Sequence, residues 1–149
     1  MHFTATRTVR FAECDPAGIV FFPQYLVMLN TFVEQWFDEG LRISYAGLIG
    51  ARRTGLPTVR LEVDFTAVSR HGDLITFTGA VEKLGRSSLT LAVRCHAGPD
   101  ATGELRYRAR QVLVCTSLET HRPQALPDDV RQALLPYVMA EVPTPENPA

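Results

Sequence analysis

The sequence predicts an α+β fold in which a five-stranded antiparallel sheet wraps around one long helix. Between Pro23 and Gly40, apolar residues recur at i, i+3 and i+4, which is the period of a helix. Residues 58–118 divide into four strand-like stretches separated by short turn sequences, and another such stretch, 4–12, precedes the helix. Because only one long helix is available to cover the sheet, we expect the sheet to curve around it.

The helix and the later strands have recognisable ends. Pro23 suits a first helical turn, and Gly40 is a common stop. The four later strands are predicted at 58–68, 74–84, 89–97 and 104–118. The turns between them are predicted at 69–73, 85–88 and 98–103. Since tight turns join antiparallel neighbours, we expect these strands to lie side by side in chain order.

The remaining segments are assigned from local pattern. In strand 58–68, every second residue from Val59 to Phe65 is apolar, which predicts one buried face. Residues 43–51 are expected to be irregular or helical. A short helix is predicted at 128–137 with Asp128 as its cap, followed by a disordered tail at 138–149.

Size and composition limit the class of protein. The 149 residues favour a single domain, residues 1–149, and 46% apolar with 21% charged residues is typical of a globular chain. A net charge of −1 creates no field for nucleic acid or an anionic membrane, so neither is expected as a partner. No apolar run approaches the roughly 20 residues that span a bilayer. The N-terminus lacks the apolar core of a secretory signal, so a cytoplasmic location is expected.

Cysteine and histidine spacing predicts no metal site. Cys14, Cys95 and Cys115 are widely separated and odd in number, which indicates reduced thiols, at least two of them inside strands. The four histidines are scattered and show none of the spacings of metal-binding motifs.

The candidate site lies in the stretch "ECDPAGIVFFPQY", residues 13–25. Asp15, directly before a proline, has one simple role as a turn residue. A second role follows from the helix that begins near Pro23, because the unpaired amides around Phe21, Phe22 and Gln24 would favour a developing negative charge there. A carbonyl held at those amides would be open to attack by Asp15 or by a water that Asp15 activates. Apolar residues 19–22 would keep water out, so the stretch suits hydrolysis of an activated acyl group.

The same stretch resembles the signature of the 4-hydroxybenzoyl-CoA thioesterase family. The family pattern D-x-A-G-x-V-x-x-x-x-Y is matched by Asp15, Ala17, Gly18, Val20 and Tyr25. The resemblance continues through Gly72-Asp73, "GRSS" at 85–88 and "THRPQALP" at 120–127, and it covers about residues 5–127.

This resemblance implies a hotdog fold, which is an antiparallel sheet wrapped around one long helix, and hydrolysis of acyl-CoA thioesters. Asp15 would be the catalytic carboxylate, and the backbone N–H of Phe22 would bind the oxyanion. Coenzyme A would be part of the substrate, with no retained cofactor and no metal. The family also forms dimers whose sheets run together, with active sites between subunits, and often tetramers, so a homodimer or homotetramer is expected. The residues implied in substrate binding are Gly18, Val20, Tyr25, Asn30, Gly85, Arg86, Ser87 and Ser88.

Two positions depart from the family pattern. Pro23 stands where many members have histidine, as in the aryl-CoA branch, yet Asn30 stands where that branch uses a helix carboxylate to meet the substrate's phenol. The acyl group is therefore left open between small aryl and short or medium acyl chains. An acyl-carrier-protein thioesterase and a non-catalytic acyl-CoA binding protein remain as alternatives.

Several other residues have two interpretations. The turn 85–88 is either a plain hairpin turn or a contact for the phosphates of coenzyme A through Arg86. The row Arg106, Arg108 and Arg110 either assists there or forms a solvated sheet face. Glu13 would join acid–base chemistry only if it shared a side with Asp15, and Cys14 has no histidine nearby in the sequence to activate it.

Overall fold

The computed structural model describes residues 1–140. A 3-10 turn at Phe11–Glu13 follows the first strand, a π-helical turn at Trp36–Leu41 follows the long helix, and a 3-10 turn at Leu135–Tyr137 follows the last helix. The helices are α1 (Phe22–Gln35), α2 (Tyr45–Ile49) and α3 (Asp128–Leu134). The strands are β1 (Phe3–Thr8), β2 (Thr54–Gly55), β3 (Thr58–Phe65), β4 (Leu74–Leu84), β5 (Ser88–Ala97), β6 (Leu105–Val114) and β7 (Thr116–Ser117).

Five strands form one antiparallel sheet in the order β1-β4-β5-β6-β3, and β2 pairs with β7 in a separate two-stranded ladder. The sheet packs its inner face against α1. The α1 residues buried there are Tyr25, Met28, Leu29, Phe32 and Val33. The predicted α+β class, with a five-stranded antiparallel sheet around one long helix, is confirmed, and it is the hotdog arrangement.

A glycine lets the helix approach the sheet closely. Gly79 lies in the middle of β4 opposite the end of α1. A Cβ at this position would lie 2.6 Å from Trp36 Cζ3 and 2.9 Å from Phe32 Cε1. Phe32 also stacks on Phe77, with ring centroids 5.4 Å apart. The absence of a side chain at Gly79 therefore allows two large aromatic rings to fill the concave side of the sheet.

The expected order of strands is wrong at one link. β4, β5 and β6 are joined by hairpins at 85–88 and 98–103, as predicted, but β3 pairs with β6 at the sheet edge and not with β4. The link 66–73 crosses the end of the sheet instead of turning back. Its middle is bound to the segment before α1, since Val20 N–H donates to the Ser69 carbonyl at 2.9 Å and Ile19 forms a β-bridge with Arg70.

The expected buried face of β3 is also not buried in the single chain. Val59, Leu61 and Phe65 are 60%, 36% and 47% exposed. Among residues 1–140, β3 pairs with β6 alone, so its other edge carries backbone groups without a ladder partner in this part of the chain. The alternation of apolar residues along β3 would predict burial correctly only if a further strand covered this edge of the sheet.

Four smaller predictions need correction. The first strand ends at Thr8 rather than at residue 12, and the cap position of α3 is Pro127, with Asp128 as the first helical residue. In the predicted tail 138–149, Met139 N–H donates to the Val81 carbonyl at 2.8 Å. Residues 141–149 lie outside the described part of the chain. Two cysteines were expected inside strands, but Cys95 alone lies inside one, β5.

The three thiols are free, as expected. Cys115 is buried directly after β6, and Cys14 lies partly buried in the loop before α1. Burial raises the pKa of Cys95 to about 12, so this thiol stays protonated at neutral pH. Within residues 1–140, no helix is both long and apolar enough to cross a bilayer.

Candidate active site

The loop that carries Asp15 closes on itself. Cys14 and Val20 form an antiparallel bridge, and Asp15 N–H donates to the Ile19 carbonyl at 2.9 Å. Gly18 N–H donates back to the Asp15 carbonyl at 2.9 Å. Gly18 has φ +79, a conformation that favours glycine, and this explains the glycine of the motif. The short loop therefore holds Asp15 at a fixed place beside the start of α1.

One oxygen of the Asp15 carboxylate accepts a hydrogen bond within the turn, and Asp15 also lines a cavity. Ala17 N–H donates to Oδ1 at 2.8 Å, which is the turn role predicted from the Asp-Pro sequence. Among residues 1–140, Oδ2 has no hydrogen-bond donor. The side chain lines an open cavity of about 310 Å³ together with Cys14, Phe21 and Gln24. Both interpretations of Asp15 thus fit the structure, because the turn uses only one oxygen.

The start of α1 leaves one amide for a ligand rather than the three that were expected. Phe21 N–H donates to the Glu13 carbonyl at 3.0 Å, and Gln24 N–H donates to the Phe21 carbonyl at 2.8 Å. Pro23 has no N–H. In the described part of the chain, Phe22 N–H has no acceptor, as expected for the first residue of a helix. Phe22 therefore has a free donor at the start of α1, and the oxyanion-binding role that the resemblance implies for it stays a prediction.

The apolar stretch before α1 shields the site on one side only. Val20 is buried, whereas Phe21 and Phe22 are exposed. Phe22 packs edge-on against Phe65 of β3, with ring centroids 6.0 Å apart. The start of α1 thus contacts the end of the edge strand β3 through this aromatic pair.

Tyr25 is buried in the core and does not line the cavity of Asp15, and its expected role as a substrate contact stays a prediction. Its hydroxyl donates to Ser69 Oγ at 2.7 Å, and its carbonyl accepts a hydrogen bond from the Tyr107 hydroxyl at 3.1 Å. Burial raises the pKa of Tyr25, so the hydroxyl stays protonated. Ser69 also accepts Val20 N–H through its carbonyl. Tyr25 therefore ties the first turn of α1 to the residue that anchors the loop of Asp15.

Replacement of Tyr25 by Phe tests this tie. Loss of one buried hydrogen bond is worth about 1 kcal/mol, which corresponds to a fall of about 3 °C in melting temperature for a domain of this size. Tyr45→Phe is the matched control, because the Tyr45 hydroxyl has no hydrogen-bond partner within residues 1–140, and its melting temperature should not change. Equal melting temperatures for Tyr25→Phe and the wild type would show that the bond to Ser69 contributes nothing.

Asn30 and the turn 85–88 lie away from Asp15 in the single chain. Asn30 is exposed on α1 and lines a different cavity, of about 370 Å³, with Thr58, Leu61 and Gln111 among its other walls. The turn 85–88 closes the far end of β4, eleven residues long, so it is about 33 Å from the end where Asp73 and Ser69 lie. One chain does not bring Asp15 and Arg86 together.

The turn 85–88 is a hairpin that the C-terminal segment supports. Gly85 N–H donates to the Ser88 carbonyl at 2.9 Å, and Leu126 N–H donates to the Arg86 carbonyl at 2.9 Å. Arg131 of α3 donates to the Gly85 carbonyl at 2.5 Å. The Arg86 side chain is exposed. The backbone of the turn is therefore held firmly while its cation faces outward.

Other candidate groups are occupied. Glu13 pairs with Arg7 at 2.5 Å and accepts Arg10 N–H, so it is not aimed at the cavity of Asp15. Cys14 Sγ donates to the Arg10 carbonyl at 3.7 Å, and no histidine within residues 1–140 is bonded to it.

The arginines of β6 form ion pairs. Arg106 pairs with Asp73, Arg108 with Asp64 and Arg110 with Glu82. Arg108 and Arg110 fit the solvated-face interpretation of that row, whereas the Arg106 side chain is 15% exposed and also donates to the Val68 carbonyl. Within residues 1–140, no three His, Cys, Asp or Glu side chains are grouped to hold a metal ion.

Gln111 was missed by the sequence interpretation. It lies on the inner face of β6, is 5% exposed and lines the same cavity as Asn30. The sequence does contain a signal for Gln111, because it is the polar residue in an inward row that otherwise consists of Tyr107, Ala109 and Leu113. The candidate residues predicted on this strand were instead Arg106, Arg108 and Arg110 of the alternate, outward row.

An antiparallel sheet wrapped around one long helix is the hotdog fold, which this chain shares with thioester hydrolases. The structure is similar to that of a 1,4-dihydroxy-2-naphthoyl-CoA thioesterase from Synechocystis, with a TM-score of 0.81 and 25% identity over 90% of this chain and 96% of that one.

The family model of the thioesterase-like superfamily matches residues 9–134, and the chain belongs to this superfamily. Curated relatives agree with this membership. The chain is 26% identical over 132 residues to a 1,4-dihydroxy-2-naphthoyl-CoA hydrolase of Synechocystis, covering 89% of this chain and 94% of the relative. It is also 26% identical over 128 residues to the 4-hydroxybenzoyl-CoA thioesterase of a Pseudomonas species, covering 83% and 89%.

Proposed function

We propose that the protein hydrolyses acyl-CoA thioesters with a small aryl acyl group, and that Asp15 and the Phe22 amide perform the chemistry. The observation that carries the proposal is that Asp15, with one carboxylate oxygen unpaired within residues 1–140, lines a cavity with Phe21 and Gln24 at the start of α1, the helix end at which the Phe22 amide has no acceptor. The aryl preference is supported by the two relatives, a 1,4-dihydroxy-2-naphthoyl-CoA hydrolase and a 4-hydroxybenzoyl-CoA thioesterase.

The Phe22 N–H would polarise the thioester carbonyl and hold the negative oxygen of the tetrahedral intermediate. Asp15 then has two routes. As nucleophile, its carboxylate oxygen bonds to the carbonyl carbon, the C–S bond breaks, and coenzyme A leaves as a thiolate that takes a proton; water then cleaves the mixed anhydride. As general base, Asp15 takes a proton from water while the water oxygen attacks the carbonyl carbon, and the same thiolate leaves.

The proposed active unit is a dimer formed along β3. This edge strand carries exposed Val59, Leu61 and Phe65 and has ladder positions without a partner. Antiparallel pairing of β3 with the same strand of a second copy joins the sheets edge to edge and is self-complementary. It also reverses the second sheet, so the partner subunit's Arg86 comes to the end at which Asp15 lies. The tetramer implied by the resemblance would be a pair of such dimers.

A thioester panel tests the activity. Benzoyl, phenylacetyl, short-chain and medium-chain CoA esters are incubated with the protein, and release of free thiol is measured. We expect turnover of the aryl esters to exceed that of the linear ones. The proposal is abandoned if no ester in the panel releases thiol above the uncatalysed rate.

The role of Arg86 is tested by substrate truncation. Arg86→Ala should raise KM for CoA esters about tenfold, the loss expected for one charge-assisted hydrogen bond to phosphate, and leave KM for the N-acetylcysteamine thioester of the same acid unchanged. Arg94→Ala, which removes an exposed arginine in the middle of β5, is the control and should change neither value. Equal effects of Arg86→Ala on both substrates would reject a contact with the phosphates.

A further inference from the structure

Glu13 is held by every polar group that it carries. It ends the 3-10 turn Phe11–Glu13, and its N–H donates to the Arg10 carbonyl at 3.0 Å. Its Oε1 accepts Arg10 N–H at 2.8 Å, and its Oε2 accepts the Arg7 guanidinium at 2.5 Å. Its carbonyl accepts Phe21 N–H at 3.0 Å. The side chain therefore joins the turn to β1, and the backbone joins the turn to the residue before α1.

Asp15 has no hydrogen bond of its own to the sheet or to the helix. Within residues 1–140, its hydrogen bonds go to residues 17–19 of its own loop. The loop is attached to the rest of the fold by hydrogen bonds on both sides of Asp15. After Asp15, Val20 is bound to the Ser69 carbonyl, and before it the turn is bound to β1 through Glu13. These two attachments set the place of the carboxylate relative to α1.

The Phe22 amide has a different support. It belongs to α1, whose first turn is fixed in the core by buried Tyr25. The Glu13 carbonyl accepts the N–H of Phe21, the residue directly before Phe22. Glu13 thus lies between the two groups to which the chemistry is assigned, two residues from Asp15 along the chain and one hydrogen bond from the start of α1. A shift of the turn would change the distance between them.

Stability alone does not explain the ion pair of Glu13 with Arg7. The two side chains are 14% and 30% exposed, so both charges lose part of their hydration. Ion pairs at such positions contribute little net free energy, because desolvation offsets the attraction. The pair does fix two side chains in one arrangement. Arg7 is itself held in the β1–β4 ladder, where it lies opposite Ile75.

We propose that Glu13 is a positioning residue, which together with Arg7 sets the distance between the Asp15 carboxylate and the Phe22 amide. The inference rests on the proposed function and adds to it a residue that touches no substrate. Reacting atoms must lie about 3–3.5 Å apart, and a displacement of about 1 Å can lower the rate about 100-fold. Loss of the ion pair frees the turn from β1, so it should lower kcat. KM should not change, because the proposed contact of Arg86 with coenzyme A lies in another part of the site.

The experiment measures kcat and KM of Glu13→Gln on an aryl-CoA ester that the wild type hydrolyses. Gln keeps an acceptor for Arg10 N–H and removes the charge that pairs with Arg7. We expect kcat to fall about tenfold and KM to stay within about twofold of the wild-type value. Arg7→Met breaks the same pair from the other side and should give the same fall, so the test does not depend on the folding of one variant. In the double variant the two losses should not add, since both remove one contact.

Glu82→Gln is the matched control. Glu82 pairs with Arg110 at 3.0 Å, and the two side chains are 33% and 34% exposed, so this variant also breaks a partly buried Glu–Arg pair. Neither residue is bonded to the loop of Asp15 within residues 1–140. Glu82→Gln should change the melting temperature about as much as Glu13→Gln does and keep the wild-type kcat.

A second readout separates the positioning of Asp15 from a general effect on the site. In the Asp15→Asn background, Glu13→Gln should change the residual rate by less than about twofold, because the group that Glu13 positions is already absent. A further tenfold fall in that background would overturn the proposal.

The remaining outcomes are distinguishable. Wild-type kcat in both Glu13→Gln and Arg7→Met overturns the inference and leaves the proposed function intact. A change in KM alone, or a loss of kcat that Glu82→Gln shares, overturns it as well. If the wild type releases no thiol from any CoA ester, the proposed function and the inference fail together.

Discussion

Replacement of Asp15 by Asn is expected to lower turnover of aryl-CoA esters by at least about 100-fold while the protein stays folded. The Asn Oδ1 can still accept Ala17 N–H, which is the bond that shapes the loop. What changes is the atom that faces the cavity, since a neutral NH₂ replaces a carboxylate oxygen and can neither attack a carbonyl nor take a proton. The measurement is free-thiol release at saturating substrate, with the circular dichroism melt of each protein alongside.

Asp100→Asn is the matched control for this substitution. Asp100 Oδ1 accepts Thr102 N–H at 2.9 Å in the turn between β5 and β6, which repeats the local bond of Asp15 at an exposed position. Its activity should equal that of the wild type. A wild-type rate in Asp15→Asn would remove Asp15 from the mechanism, and equal losses in both variants would point to a nonspecific effect of the substitution.

Leu61→Lys is expected to convert the protein to a monomer and to lower kcat/KM for CoA esters by about tenfold or more. Leu61 lies on the exposed edge strand, and a lysine on such an edge is a common means of preventing pairing with a second sheet. In the dimer proposed along β3, each site receives the partner subunit's Arg86, and a monomer would lose this contact, which is worth about that factor. Sedimentation velocity measures the mass.

Leu135→Lys is the control, because Leu135 is an exposed leucine in the turn after α3, away from β3. It should stay oligomeric and active. A Leu61→Lys protein that sediments like the wild type would contradict the β3 interface.

Mixed dimers test the shared site directly. Copies carrying Asp15→Asn and copies carrying Arg86→Ala are co-expressed with different tags, and the mixed species is purified. If each site takes Asp15 from one subunit and Arg86 from the other, one of its two sites is intact and kcat/KM is about half that of the wild type. If each site uses its own Arg86, kcat/KM is at most half that of the Arg86→Ala dimer.

Features made by neighbouring residues were predictable from the sequence. The period of α1 and the hairpins between β4, β5 and β6 depend on local spacing and turns, and both predictions are confirmed. The closure of the loop on Asp15 uses only residues 13–22, so its motif could be recognised without the rest of the chain.

Features made by distant residues were not predictable. The position of β3 next to β6 is set by packing across the sheet, and the turn-like link 69–73 suggested a different neighbour. The burial of Tyr25 depends on Ser69 and Tyr107, which no local pattern around Tyr25 reveals. The hydrogen bond of Gln111 to Thr58 and the cavity that it lines with Asn30 likewise join residues far apart in the sequence.

The crossing link between β3 and β4 also determines the order in which the chain can acquire its structure. The β4–β5–β6 meander closes through short loops, whereas β3 must find β6 across a long intervening chain, from Phe65 to Tyr107 and from Thr58 to Leu113. Closing a longer loop costs more chain entropy, so we expect β3 to join the folding nucleus late. In the dimer proposed along β3, this late strand would also form the contact between subunits, so refolding should slow as the protein is diluted.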